Sequence, residues 1–97
     1  MPSAETGASV SRDGEALRFA GALLRGQVPA LWRQALPLAP GARRFDLSGA
    51  SRVDSAGVAL LAELAARAGG GVAIKGDPAG LAALRAAYRL QADLDFA

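Results

Sequence analysis

The chain has 97 residues, enough for one compact domain and too few for two. It contains no cysteine and no histidine, which excludes disulfides, thiol nucleophiles, histidine general bases and the usual zinc sites. Its formal charge of +2 comes from scattered arginines, with only Arg43 and Arg44 adjacent, so it lacks the basic patch with interleaved aromatics that nucleic-acid binders use.

Residues 1–8 are expected to form a flexible tail, since MPSAETGAS lacks the basic and then apolar regions of a secretory signal. Ser9–Arg12 and Ala16–Ala20 read as two strands of a hairpin, because Asp13-Gly14 between apolar segments tolerates positive φ. Leu17 and Phe19 share one strand face. Gly26–Leu36 reads as a helix, with Pro29 in the first turn, where a missing N–H costs nothing. Val28, Leu31 and Ala35 recur at helical spacing and face the core, with Trp32 on the rim of that stripe. Pro37, Pro40 and Gly41 end the helix.

Arg43–Leu47 is the next strand, with Phe45 and Leu47 on one face. A short loop leads to a helix over Ala56–Ala68, stopped by Gly69-Gly70-Gly71. Val72–Lys75 reads as a strand. Asp77 then caps a last helix with Pro78 at its first position and Leu81, Leu84 and Tyr88 as its apolar stripe. Gln91–Ala97 is expected to be irregular.

The resulting order, β-β-α-β-α-β-α, implies parallel strands with right-handed crossovers behind an antiparallel hairpin. The expected fold is a small mixed α/β sheet of about four strands with helices packed on it, one domain over residues 9–97. No apolar run approaches the ~18–20 residues that span a bilayer. With the lack of cysteine, this points to a cytoplasmic location.

The stretch RVDSAGVALLAEL, Arg52 to Leu64, carries the densest information. Ser55 is placed to cap the following helix through the N–H of Gly57 or Val58. Asp54, just outside, favours the positive end of the helix dipole. The pair reads either as a cap alone or as a cap with a further role. Gly57 costs a helix ~1 kcal/mol relative to alanine, which implies close approach by the strand beneath or by a partner above. At about 100° per residue, Val58, Leu61, Ala62, Ala65 and Ala68 form the core stripe, and Glu63 and Arg67 a charged strip. Leu60 and Leu64 lie beside that strip. Either neighbouring helices cover them, or they join Ala56, Gly57 and Trp32 in a docking surface. Burying two leucines contributes ~3–5 kcal/mol before association costs.

An enzyme is not expected. Asp46 and Asp54 are the only carboxylates that suggest an acid/base pair, and no nucleophile–base constellation accompanies them. The glycine run follows a helix rather than opening one, so it is no phosphate cradle, and there is no GxxxxGK[ST] loop. No catalytic residue, cofactor or metal is expected.

The segment FDLSGASRVDSAGVALLAEL resembles the signature of STAS domains, the fold of anti-sigma factor antagonists. The resemblance runs from about Ser9 to Leu90. Within the family it is most similar to the MlaB-like branch, small cytoplasmic subunits of Mla phospholipid ABC transporters in Gram-negative bacteria. Four stretches carry this: Val28-Pro29-Ala30-Leu31-Trp32, Ser51-Arg52-Val53-Asp54-Ser55, Leu60-Leu61, and the run from Leu84 to Leu90.

The resemblance implies that Ser55 matches the hydroxyl phosphorylated in sigma-factor regulators, which is a threonine at the ATPase contact in the transporter branch. It also implies that Trp32 lies in or near that contact. Ala56 departs from the regulators, which usually carry a second Ser or Thr there. The expected function is a non-catalytic subunit that binds the Mla-type ATPase and, through it, the membrane permease complex. It would support assembly or activity in maintaining outer-membrane lipid asymmetry, held peripherally at the inner membrane. The expected contact set is Trp32, Asp54, Ser55, Ala56, Gly57, Leu60 and Leu64. The alternative is an anti-sigma factor antagonist switched by phosphorylation of Ser55.

Overall fold

The computed structural model describes residues 8–89. Most of the expected tail at residues 1–8 therefore lies outside the described residues, as does the expected irregular segment Gln91–Ala97. Ala8 itself is buried, and its N–H donates to Gln27 Oε1 at 3.2 Å.

Strands β1 (Ser9–Asp13) and β2 (Ala16–Leu23) form the antiparallel hairpin. Asp13 pairs with Ala16, so the two-residue loop is Gly14-Glu15, one position later than the Asp13-Gly14 reading. Gly14 has φ +61, which suits the first position of a type II′ turn. A 3₁₀ turn at Arg25–Gln27 leads into α1 (Val28–Ala35), with proline in its first turn, and a second at Leu36–Leu38 leaves it. Strand β3 (Arg44–Val53) then runs parallel to β2, and β4 (Ala73–Lys75) parallel to β3. Helices α2 (Ser55–Arg67) and α3 (Leu81–Ala87) follow β3 and β4 respectively. The sheet order is β1-β2-β3-β4, the mixed four-stranded α/β architecture that the element order implies.

Several element ends differ from the sequence reading. β3 does not stop at Leu47 but continues through Ser48–Val53. Its pairing with β2 survives two register shifts, between Arg18 and Ala20 and between Gly21 and Ala22, so backbone bonding holds a polar stretch extended. The last helix begins at Leu81 rather than at Pro78. Residues ahead of it are drawn to the sheet: Val53 N–H donates to the Ala79 carbonyl at 2.9 Å, and Arg52 bridges Ala79. Gly80, at φ +92, caps the helix where a Cβ would press on the Val53 carbonyl oxygen. Asp77 is therefore not the cap.

One sheet face is buried through Leu17, Phe19 and Leu23 of β2 and Phe45, Leu47 and Val53 of β3. Phe19 and Phe45 pack with ring centroids 5.7 Å apart, a favourable tilted arrangement. The opposite face carries Ser11, Arg18, Ala20 and Ser48 in solvent. Leu31 and Ala35 of α1 and Leu81 of α3 join the same core. Helix α2 touches α1, α3, β2 and β3, so it has neighbours on three sides. Among the described residues, no helix is long and apolar enough to cross a membrane.

The central position of α2 settles how its faces are used. Gly57, Val58, Leu60, Leu61, Leu64 and Ala65 are all buried, an arc of roughly 160° at helical spacing. Leu60 is 4% exposed and Leu64 0% exposed. They belong to the core and not to an open docking face, which corrects their place in the expected contact set. The core stripe expected from helical spacing is offset toward Ala62 and Ala68, which are only partly buried. Gly57 is explained by the strand beneath: a Cβ there would run into the Leu23 carbonyl oxygen.

The outer edge of β1 is also covered. The Val10 N–H donates to Gln34 Oε1 at 3.4 Å, so Gln27 and Gln34 occupy backbone donors at positions 8 and 10 that no strand pairs.

Candidate functional site: the mouth of α2 and its groove

Asp54, not Ser55, is the N-cap of α2. Its backbone is extended, and its Oδ1 accepts from the Gly57 N–H at 2.9 Å. Both residues are good caps by type. A tertiary bond decides between them: Asp54 Oδ2 also accepts from the Arg25 N–H at 2.8 Å. The carboxylate thus ties the exit of β2 to the entry of α2. The Gly57 N–H, followed by that of Arg25, holds the Asp54 carboxyl below the usual carboxylate range.

The sign of this shift gives a pH prediction. A carboxyl with a lowered folded-state pKa contributes stability above its unfolded pKa, and that stability disappears as pH falls through the folded value. Asp54→Ala is expected to cost ~0.5–2 kcal/mol near neutral pH. In urea titrations the gap from wild type should narrow steadily below about pH 4, near the unfolded carboxyl pKa. A gap that stays constant down to pH 2 would show that the charge contributes nothing.

Because Asp54 takes the capping role, the Ser55 hydroxyl is left exposed at the helix mouth. Beside it lies an open groove of about 420 Å³, lined by Arg25, Ser55, Ala56, Val58, Ala59, Ala62 and Tyr88. One wall is the small-residue face of α2. The other is Tyr88, directly after α3, which is 46% exposed and so does not belong to the core stripe expected of it.

The expected contact residues are thereby separated. Ser55 and Ala56 line the groove. Asp54 lies behind its rim with both oxygens engaged, and Gly57, Leu60 and Leu64 are buried. Trp32 is half-buried and does not line the groove; the Arg67 guanidinium sits 5.4 Å from its ring centroid. Arg67 is itself paired with Glu63 at 3.5 Å. Ala59, Ala62, Arg25 and Tyr88 were missed. The first two were accessible to sequence reasoning, lying four and seven residues after Ser55 on the same helical face.

Asp46 and Asp54 each bind their own set of partners. Asp46 accepts from the Ser48 N–H at 2.9 Å and approaches Arg18 at 3.7 Å. Ser48 hydrogen bonds, with Lys75 and Arg18 adding charge, hold its carboxyl low as well. Both carboxylates accept from backbone N–H groups, which favours their ionised forms.

A family model described as "Mlab, STAS domain" matches residues 8–94. No match is found among curated proteins. A solved structure described as "Crystal Structure Analysis of Mglu" is similar over 71% of this chain at 28% identity, with a TM-score of 0.48. The aligned region makes up 19% of that longer chain.

Proposed function

Since this chain belongs to the MlaB-like STAS-domain family, we propose that it is the non-catalytic STAS subunit that docks on the ATPase of an Mla-type ABC phospholipid transporter. It would support assembly or activity of that ATPase in maintaining outer-membrane lipid asymmetry, from the cytoplasmic side of the inner membrane. The observation that carries this reading is the open groove at the mouth of α2, with Ser55 exposed at its edge. The contact face is Ser55, Ala56, Ala59 and Ala62, with Tyr88 opposite. Small side chains on a helix let a partner backbone come close, and an exposed aromatic supplies contact area at little entropic cost. Any effect on ATP turnover then follows from binding one ATPase state better than another.

Ala59→Trp tests the reading, because it fills the groove from an exposed position and leaves the core untouched. Co-expressed with the ATPase, the wild-type chain should co-purify with it. The variant should lose the complex at least tenfold while melting at an unchanged temperature. Undiminished co-purification and ATP turnover would overturn the docking face.

The exposure of Ser55 also favours a second reading, an anti-sigma factor antagonist released by phosphorylation there. The added phosphate would carry nearly two negative charges beside Asp54 and repel it. Intact-mass spectra of the chain from cells distinguish the two: a phosphate lost on Ser55→Ala supports the switch, and its absence across growth conditions counts against it.

A further inference from the structure

We infer that the groove accepts an acidic segment of the partner, one that sets a carboxylate against the Arg25 guanidinium and lays an apolar side chain between Ala59 and Tyr88. This rests on the docking reading above and goes beyond it by naming the chemistry of the contact. Among the described residues, Arg25 is the one charged residue that lines the groove. It is exposed, and among the described residues its guanidinium makes no ion pair.

Asp54, bound to the Arg25 backbone, forms no ion pair with its guanidinium. Asp54 directs Oδ2 to the Arg25 backbone N–H and Oδ1 to the Gly57 N–H, so both oxygens are turned to the protein's own backbone. The remaining lining is uncharged: alanines, Val58, the Ser55 hydroxyl and the Tyr88 ring. The Asp54 carboxylate already offsets the positive end of α2, so the attraction for a partner carboxylate rests on the Arg25 guanidinium. A guanidinium offers a planar set of donors that matches a carboxylate in two-point contact, and the Ser55 hydroxyl can donate alongside. A basic partner segment would meet the like charge of the Arg25 guanidinium, and a wholly apolar one would strip water from it without replacing that water.

The test measures the dissociation constant of the purified chain for the ATPase, at low and at moderate salt, for wild type, Arg25→Glu, Arg25→Lys and Ala59→Trp. Among the described residues Arg25 is held by its backbone alone, its N–H donating to Asp54 and its carbonyl accepting from the Val28 N–H, so its side-chain variants should melt as wild type does. Arg25→Glu is expected to weaken binding by about tenfold or more, and Arg25→Lys by only a few-fold. Wild-type affinity should fall with salt, and that dependence should be lost or inverted in Arg25→Glu. If Arg25→Glu binds like wild type with the same salt dependence while Ala59→Trp does not bind, the groove is the docking site but its partner segment is not acidic. If Ala59→Trp also binds like wild type, the docking reading fails with it.

Discussion

Replacing Gly57 with alanine should destabilise the domain by about 2 kcal/mol or more, although alanine is the better helix former. The helix gains ~1 kcal/mol from the exchange. Against that, the new methyl points at the Leu23 carbonyl oxygen, with the carbonyl carbon at 3.1 Å and the Leu23 Cβ at 3.3 Å. The oxygen and its carbon are backbone atoms at the end of a central strand, and the same carbonyl accepts from the Asp54 N–H at 3.3 Å. The strand cannot yield without loosening the helix cap, so α2 has to lift from the sheet. Overpacking of this kind costs ~1–3 kcal/mol and more where backbone blocks relaxation. Chemical denaturation of Gly57→Ala checks the sum, and a variant as stable as wild type would mean that α2 does not sit this close to β2.

Leu64→Ala should cost ~2–5 kcal/mol, the range for removing a buried leucine from a packed core. Leu64 is 0% exposed within the cluster that α1, α2 and the sheet share. A domain of this length commands ~5–15 kcal/mol in total, so the loss is a large part of the margin and should appear as a melting point lowered by many degrees. The comparison with Ala59 separates core from surface. Both changes should reduce recovery of an ATPase complex, but Leu64→Ala through unfolding, with soluble yield falling in parallel, and Ala59→Trp at full stability. A Leu64→Ala chain that kept its melting point and lost only its partner would return Leu64 to the interface.

These two residues also illustrate what a single sequence can carry. The element order was legible because its punctuation is chemical: Gly14 in the hairpin, Pro29 at a helix start and the glycine run after α2. The buried face of β2 and β3 was legible from alternation at Leu17, Phe19, Phe45 and Leu47. The far half of β3 was not, since Ser48, Gly49, Ser51 and Arg52 have loop composition and are extended only because β2 bonds alongside them. The choice of cap was illegible for a similar reason: Asp54 prevails over Ser55 through Arg25, 29 positions earlier in the chain.

The face of α2 was misjudged by part of a turn. Its alanines carry too little apolar area to mark inside from outside, so the direction of burial came from neighbours that the local pattern does not reveal. Of the site, Ser55 and Ala56 were readable at a helix mouth. Arg25 and Tyr88 were not, because they meet the groove from separate elements and only the folded chain brings them together.

The glutamines along β1 bear on how this molecule keeps company with itself. A sheet that ends in open amides invites another chain to zip on and to go on adding. Here Gln27 and Gln34 have already answered two of those amides from the adjoining helix. Growth from that border is discouraged before it starts, because its outward donors at positions 8 and 10 are already taken.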